Sequence, residues 1–143
     1  MNQKEAITKY KRVALDTALF IYFVQAHPKF GKAVKEIFEK VKEGEVSALT
    51  TAITIAEIFS KVQSKALELS YRSLLFNFPN LWVCDITTHI AYEAGRLRKK
   101  YSITTPDALQ IASALNYQCD AFITNDRALE KVSEIPVVLL GEL

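Results

Sequence analysis

The sequence predicts an α/β protein built on a parallel, doubly wound central sheet. Short apolar strand candidates alternate with stretches of helical spacing along the chain, the pattern of right-handed β–α–β crossovers. Two of those strands have an acidic residue just past their end and just before the next helix, Asp16 and Asp126. In such folds ligands bind at the carboxyl ends of the strands, near a switch in strand order. The length of 143 residues fits one domain over 1–143, enough to bury roughly two-thirds of its unfolded surface.

The elements follow in order. Arg12–Leu15 is a strand, and Asp16 stands where it can cap the apolar helix Ala18–Val24. After His27-Pro28, the residues Phe30, Val34, Ile37, Phe38 and Val41 mark an amphipathic helix that Gly44 closes. Glu45–Leu49 is the second strand. Thr50 or Thr51 then caps a helix with Ile55, Ile58, Phe59, Val62, Ala66 and Leu69 facing the core. Helical patterning resumes over Lys65–Phe76 and ends before Pro79. Leu81–Cys84 is the third strand, and Thr87 or Thr88 caps a helix with Ile90, Ala91, Ala94 and Leu97 on one face. Thr105 as N-cap and Pro106 at the first helical position open an apolar helix through Leu115. Ala121–Thr124 is the fourth strand, a short helix follows Asp126 as far as Val132, and Pro136–Leu140 is the fifth strand.

Composition narrows the function classes. Half of the residues are hydrophobic and 24% charged, a soluble globular mix, while four glycines and four prolines leave little room for linkers. The net charge of +2 neither announces a nucleic-acid binder nor excludes one. Cys84 and Cys119 are too few for a disulfide framework or a zinc cluster and read as buried free thiols, which fits a reducing compartment. Met1–Lys11 is polar without a signal-peptide core, and no apolar run reaches the length of a membrane span. A cytoplasmic protein with no membrane partner is expected. His27 and His89 have no partner at ligand spacing and read as bystanders.

Four acids carry the functional argument, and each also has an ordinary explanation. Asp16 and Asp126 can be helix caps, and Asp107 suits the first turn of its helix, where the dipole favours negative charge. Glu57 can close a capping box with Thr54, provided the helix starts that late; with a start at Thr50 or Thr51 it is a mid-helix acid beside the core. Brought together at one sheet edge, four carboxylates would repel unless a cation joins them. With no His or Cys in the set, that cation would be Mg²⁺ or Mn²⁺, whose characteristic chemistry is phosphoryl transfer. There is no G-x-S-x-G elbow, no phosphate-binding glycine loop and no G-x-G-x-x-G fingerprint.

Val13-Ala14-Leu15-Asp16-Thr17, Thr54-Ile55-Ala56-Glu57, Pro106-Asp107-Ala108-Leu109-Gln110-Ile111-Ala112-Ser113-Ala114 and Phe122-Ile123-Thr124-Asn125-Asp126 resemble the successive motifs of the PIN-domain family. They stand in the family's order and cover nearly the whole chain, and the short length resembles a VapC-type toxin ribonuclease. The resemblance implies a three-layer α/β/α fold with a five-stranded parallel sheet. It implies a Mg²⁺- or Mn²⁺-dependent endoribonuclease acting on RNA, usually a homodimer silenced by an antitoxin protein. Asp16, Glu57, Asp107 and Asp126 match its acidic quartet. Asp16 and Asp107 are then first choices for direct metal ligands, Asp126 ligates directly or through water, and Glu57 positions or deprotonates the attacking water. Thr17 and Thr124 match polar positions that steady the carboxylates. Ala18 departs from the family, which often has Asn or Ser there. RNA would need cations near the acids, and Arg96, Arg98, Lys99 and Arg127 are candidates beside Lys9, Lys11, Arg12 and Lys100.

The residues leave three other readings open: a housekeeping nuclease of the same family, a non-catalytic interaction module that keeps the acids as caps, and a phosphohydrolase using Asp16 as nucleophile. The last is disfavoured because Ala18 stands where a D-x-D motif would place its second acid.

Overall fold

The computed structural model describes residues 7–143; positions 1–6 of the polar N-terminus lie outside the described residues. Among the described residues the elements from Arg12 onward follow one another as β1 (Arg12–Leu15), α1 (Thr17–Val24), α2 (Gly31–Lys42), β2 (Ser47–Thr51), α3 (Ala52–Phe59), α4 (Lys65–Asn77), β3 (Leu81–Cys84), α5 (Thr88–Tyr101), α6 (Thr105–Asn116), β4 (Ala121–Thr124) and β5 (Val137–Leu139). A 3₁₀ turn, Arg127–Lys131, links β4 to β5. All strands are parallel, in the order β3-β2-β1-β4-β5. The chain therefore works outward from β1 through β2 to β3, then returns to add β4 and β5 on the other side. The switch point lies between β1 and β4.

Strand alternation distributes the core over both faces of the sheet. Val13, Leu15, Ala48, Ala121 and Ile123 pack with Leu19, Phe20, Val34, Ile37, Phe38, Ile58 and Tyr71, which come from α1, α2, α3 and α4. Ala14, Leu49 and Phe122 face the other way, against Ile90, Ala94 and Leu97 of α5 and Ala108 and Ile111 of α6. The result is the expected three-layer α/β/α arrangement.

Local differences from the sequence reading have physical causes. The second strand runs over Ser47–Thr51 rather than Glu45–Leu49. Gly44, at φ +81°, ends α2 with Gly44 N–H on Val41 O and Glu45 N–H on Lys40 O, so Glu45 is spent on the helix terminus. The apolar spacing from Ile55 to Leu69 spans two helices: α3 ends at Phe59, and Ser64 starts α4 by accepting from Leu67 N–H. Leu69, expected in the core, is 56% exposed. Thr104, not Thr105, caps α6 by accepting from Asp107 N–H. The two cysteines are free and half-buried rather than fully buried, and burial pushes the Cys119 thiol up to about 12. His27 is structural, its Nδ1 accepting from the backbone N–H groups of Lys29 and Phe30 at the entry to α2. Among the described residues no helix is long and apolar enough to cross a membrane.

Candidate active site

The four acids reach the carboxyl edge of the sheet from four elements. Asp16 follows β1 and caps α1, its Oδ1 accepting from Thr17 N–H at 2.8 Å. Its Oδ2 accepts from the Thr124 hydroxyl at 2.6 Å, which ties the end of β1 to the end of β4 across the switch point. Asp126 follows β4 and caps the 3₁₀ turn, with Oδ1 accepting from Ala128 N–H at 2.9 Å. Asp107 lies in the first turn of α6, and its Oδ2 accepts from the Thr104 hydroxyl at 2.9 Å. Glu57 is in the second turn of α3, which Thr51 caps, so the capping-box alternative with Thr54 does not form. Its Oε1 accepts instead from the Thr17 hydroxyl at 2.8 Å.

The acids form a gradient from interior to solvent. Asp16, Glu57 and Asp107 are half-buried, whereas Asp126 is exposed. Burial pushes the Asp16 carboxyl above its usual range; the bonds from Thr124 and Thr17 oppose this, while the charges of Asp107 and Glu57 add to it. Asp107 is likewise raised, first by burial and then by the charges of Asp126 and Glu57, against the bond from Thr104. Through these couplings all four acids lie in one field. Among the described residues, however, no three acidic, histidine or cysteine side chains stand close enough to enclose an ion as they are placed. The donor set is oxygen only and its mutual repulsion is unrelieved, which fits a hard cation such as Mg²⁺ or Mn²⁺ and not zinc.

Beneath the carboxylates lies a buried polar layer that sequence reasoning missed. Gln110, one turn beyond Asp107, accepts from the Thr51 hydroxyl at 2.6 Å and donates to Thr54 Oγ1 at 2.9 Å and Thr17 Oγ1 at 3.4 Å. Thr54 Oγ1 stands 2.8 Å from Thr17 Oγ1 and 2.7 Å from Thr50 Oγ1. Among the described residues no buried side-chain polar atom lacks a partner. The available signal was Gln110 itself, an amide inside an otherwise apolar stretch of helix, which must find partners when buried.

The candidate RNA-binding cations are exposed and dispersed. Arg127 follows Asp126 directly and pairs loosely with Glu130 and Glu142. Arg96 lies 3.9 Å from Glu93, and Lys100 pairs with Glu134. Lys99 lines a surface cavity with Arg96, Lys100 and Tyr92. Arg98 has a structural bond, its Nε donating to Ile103 O across the α5–α6 connection. Arg12 opens β1 at the end opposite Asp16, and its guanidinium donates to Tyr117 O, which places it away from the acids.

The PIN-domain profile matches residues 13–135, from the first residues of β1 to just short of β5. The chain belongs to the PIN-domain family. No curated protein matches it in sequence at a significant level. Solved structures that share the fold over nearly their whole length include three toxin–antitoxin assemblies. One is VapBC2 from Rickettsia felis bound to a DNA fragment from its promoter, 18% identical with a TM-score of 0.71, covering 90% of this chain and 98% of that one. A toxin–antitoxin complex from Klebsiella pneumoniae is 19% identical at 0.70, covering 92% and 99%. DNA-bound VapBC from Salmonella typhimurium is 20% identical at 0.68, covering 91% and 98%.

Proposed function

We propose that this PIN-domain protein is a divalent-metal-dependent endoribonuclease and the toxin of a toxin–antitoxin pair. The observation that carries the reading is the acidic field at the switch point. Asp16 and Asp107 are each raised partly by the other acids, an arrangement that costs stability and that a bound cation would relieve. Asp16, Asp107 and Asp126 would hold Mg²⁺ or Mn²⁺, which supplies an activated water and neutralises phosphodiester charge. Glu57, held through Thr17, would orient an attacking water or take its proton. Thr124 fixes one oxygen of Asp16 and leaves the other on the α1 cap, so the carboxylate cannot swing away. Arg127, beside Asp126, and the α5 cations Arg96, Arg98 and Lys99 are the candidates for phosphate contacts. The toxin role and an antitoxin partner draw support from neighbours that are themselves toxin–antitoxin assemblies; a homodimer in the cytoplasm belongs to the same reading.

A second reading is favoured by one observation. Asp16, Asp107 and Asp126 each make a hydrogen bond typical of a helix terminus, as a non-catalytic interaction module would require. One experiment separates the two: incubate purified protein with a mixed pool of structured RNAs in Mg²⁺, Mn²⁺ or EDTA, beside Asp107→Asn. The nuclease reading expects cutting that needs metal and falls by about 10²-fold or more in the variant, the scale of one transition-state charge contact. Metal-independent cutting, or equal cutting by the variant, would count against it. Calorimetric titration with Mn²⁺ decides whether the acids bind metal at all when no RNA in the pool is cut.

A further inference from the structure

We propose that Gln110 is a positioning residue for Glu57, acting through the Thr17 hydroxyl; this rests on the ribonuclease reading above. Gln110 is 3% exposed and sits where three acid-bearing elements meet. It lies three residues after Asp107 on α6, while its partners are Thr54, three residues before Glu57 on α3, and Thr17, next to Asp16.

The direction of each bond follows from counting donors. Thr17 gives its one hydroxyl proton to Glu57 Oε1 and can only accept from the amide, so the amide oxygen of Gln110 faces the Thr51 hydroxyl. The amide nitrogen therefore faces Thr54 and Thr17 and donates to both oxygens. Hydroxyls that accept from the amide must turn their own protons away from it. For Thr17 the charged acceptor in reach is Glu57 Oε1, at 2.8 Å. Gln110 thus fills the acceptor side of Thr17 Oγ1 and holds the hydroxyl where its proton lies on Glu57. An apolar residue of similar size would fill the space but remove the donor that holds Thr17 Oγ1 and Thr54 Oγ1, so that the Thr17 hydroxyl and the Glu57 carboxylate it supports would shift.

The test compares Gln110→Leu with the wild type in Mn²⁺-dependent cleavage of one RNA that the wild type cuts. Loss of positioning lowers kcat by about tenfold to a hundredfold with KM for the RNA unchanged, the scale of lost outer-shell support at metal sites. Gln110→Leu should add little to Glu57→Gln but should multiply with Asp126→Asn, because only the first pair shares a path. A merely structural role would weaken all backgrounds alike. Equal kcat, or full multiplication with Glu57→Gln, would overturn the proposal. Where Gln110→Leu does not fold, Gln110→Glu keeps the size and the acceptor for Thr51 but removes the donor, and the same outcomes apply. A second readout is independent of cleavage: the Glu57 side-chain carboxyl carbon resonance of the metal-free protein. It should move in the variant, and an unmoved resonance would sink the assignment. Wild-type protein that cuts no RNA would count against the ribonuclease reading alone, and the resonance would then decide on Gln110.

Discussion

Asp16 has two partners that favour its charged form, Thr124 and the N–H of Thr17, yet burial and the neighbouring acids outweigh them. A carboxyl whose folded pKa lies above its unfolded value holds its proton more tightly in the native state. Ionising it therefore costs stability. The cost is absent below the ordinary value of 3.8 and complete once the pH exceeds the raised one. Asp107 has the same sign. Metal-free Asp16→Asn should accordingly gain on the wild type as pH rises from about 3 to neutrality, the two converging at the acid end. Thermal melts across that range measure the difference, and parallel curves would show that the acids do not burden the fold. Glu134 acts in the opposite sense, held low by Tyr101 and Lys100, which is why the comparison must be with the single variant rather than with the bare pH profile.

Among the elements, α6 depends on Thr104 in two ways. Its hydroxyl oxygen accepts from Asp107 N–H, and its proton goes to Asp107 Oδ2. Thr104→Ala should cost about 1 kcal/mol of stability through the lost cap. It should also push the Asp107 carboxyl further up, since the removed bond is the one that lowers it. Chemical denaturation measures the first effect and a carboxyl titration by NMR the second. The helix is legible from Pro106 and the apolar spacing behind it, but its cap is not, because Thr104 and Thr105 are chemically equivalent neighbours. The break between α3 and α4 is hidden for a related reason. Apolar residues at helical spacing continue through Val62, which packs against the same core from the connection between the two helices. Glu57 and the three aspartates stand out because a charge inside an apolar pattern has a cost. Thr50, Thr51 and Thr54 do not, since threonine suits a strand, a cap and a buried hydrogen-bond cluster equally well, and only the partner chooses among them.

For the whole molecule, the decisive quantity is how the four elements respond to a shared ligand. If Mn²⁺ joins the acids, at a hundredfold excess over Kd it adds about 2.7 kcal/mol to stability, or roughly 5–10 °C in Tm for a chain of this size. The wild type should gain that shift and Asp107→Asn much less of it, by scanning fluorimetry with and without Mn²⁺. Equal shifts in the two proteins would mean that the metal binds elsewhere. Strand alternation read from sequence identified the fold class, but strand order did not follow from it, because pairing depends on which edges remain open once the helices have packed.

That order has a consequence for when the site exists. β1 pairs with β2 on one side and β4 on the other, and Asp16 gains the Thr124 hydroxyl only when β4 has docked. During synthesis Asp16 and Glu57 emerge early, together with three strands that can already pair. Asp107 and Asp126 emerge late, on either side of the strand that fills the remaining edge of β1. A growing chain thus carries at most half of its acidic field until Asp107 has been added. The full set, and any RNA cutting that depends on it, arises only once β4 has left the ribosome and closed the sheet.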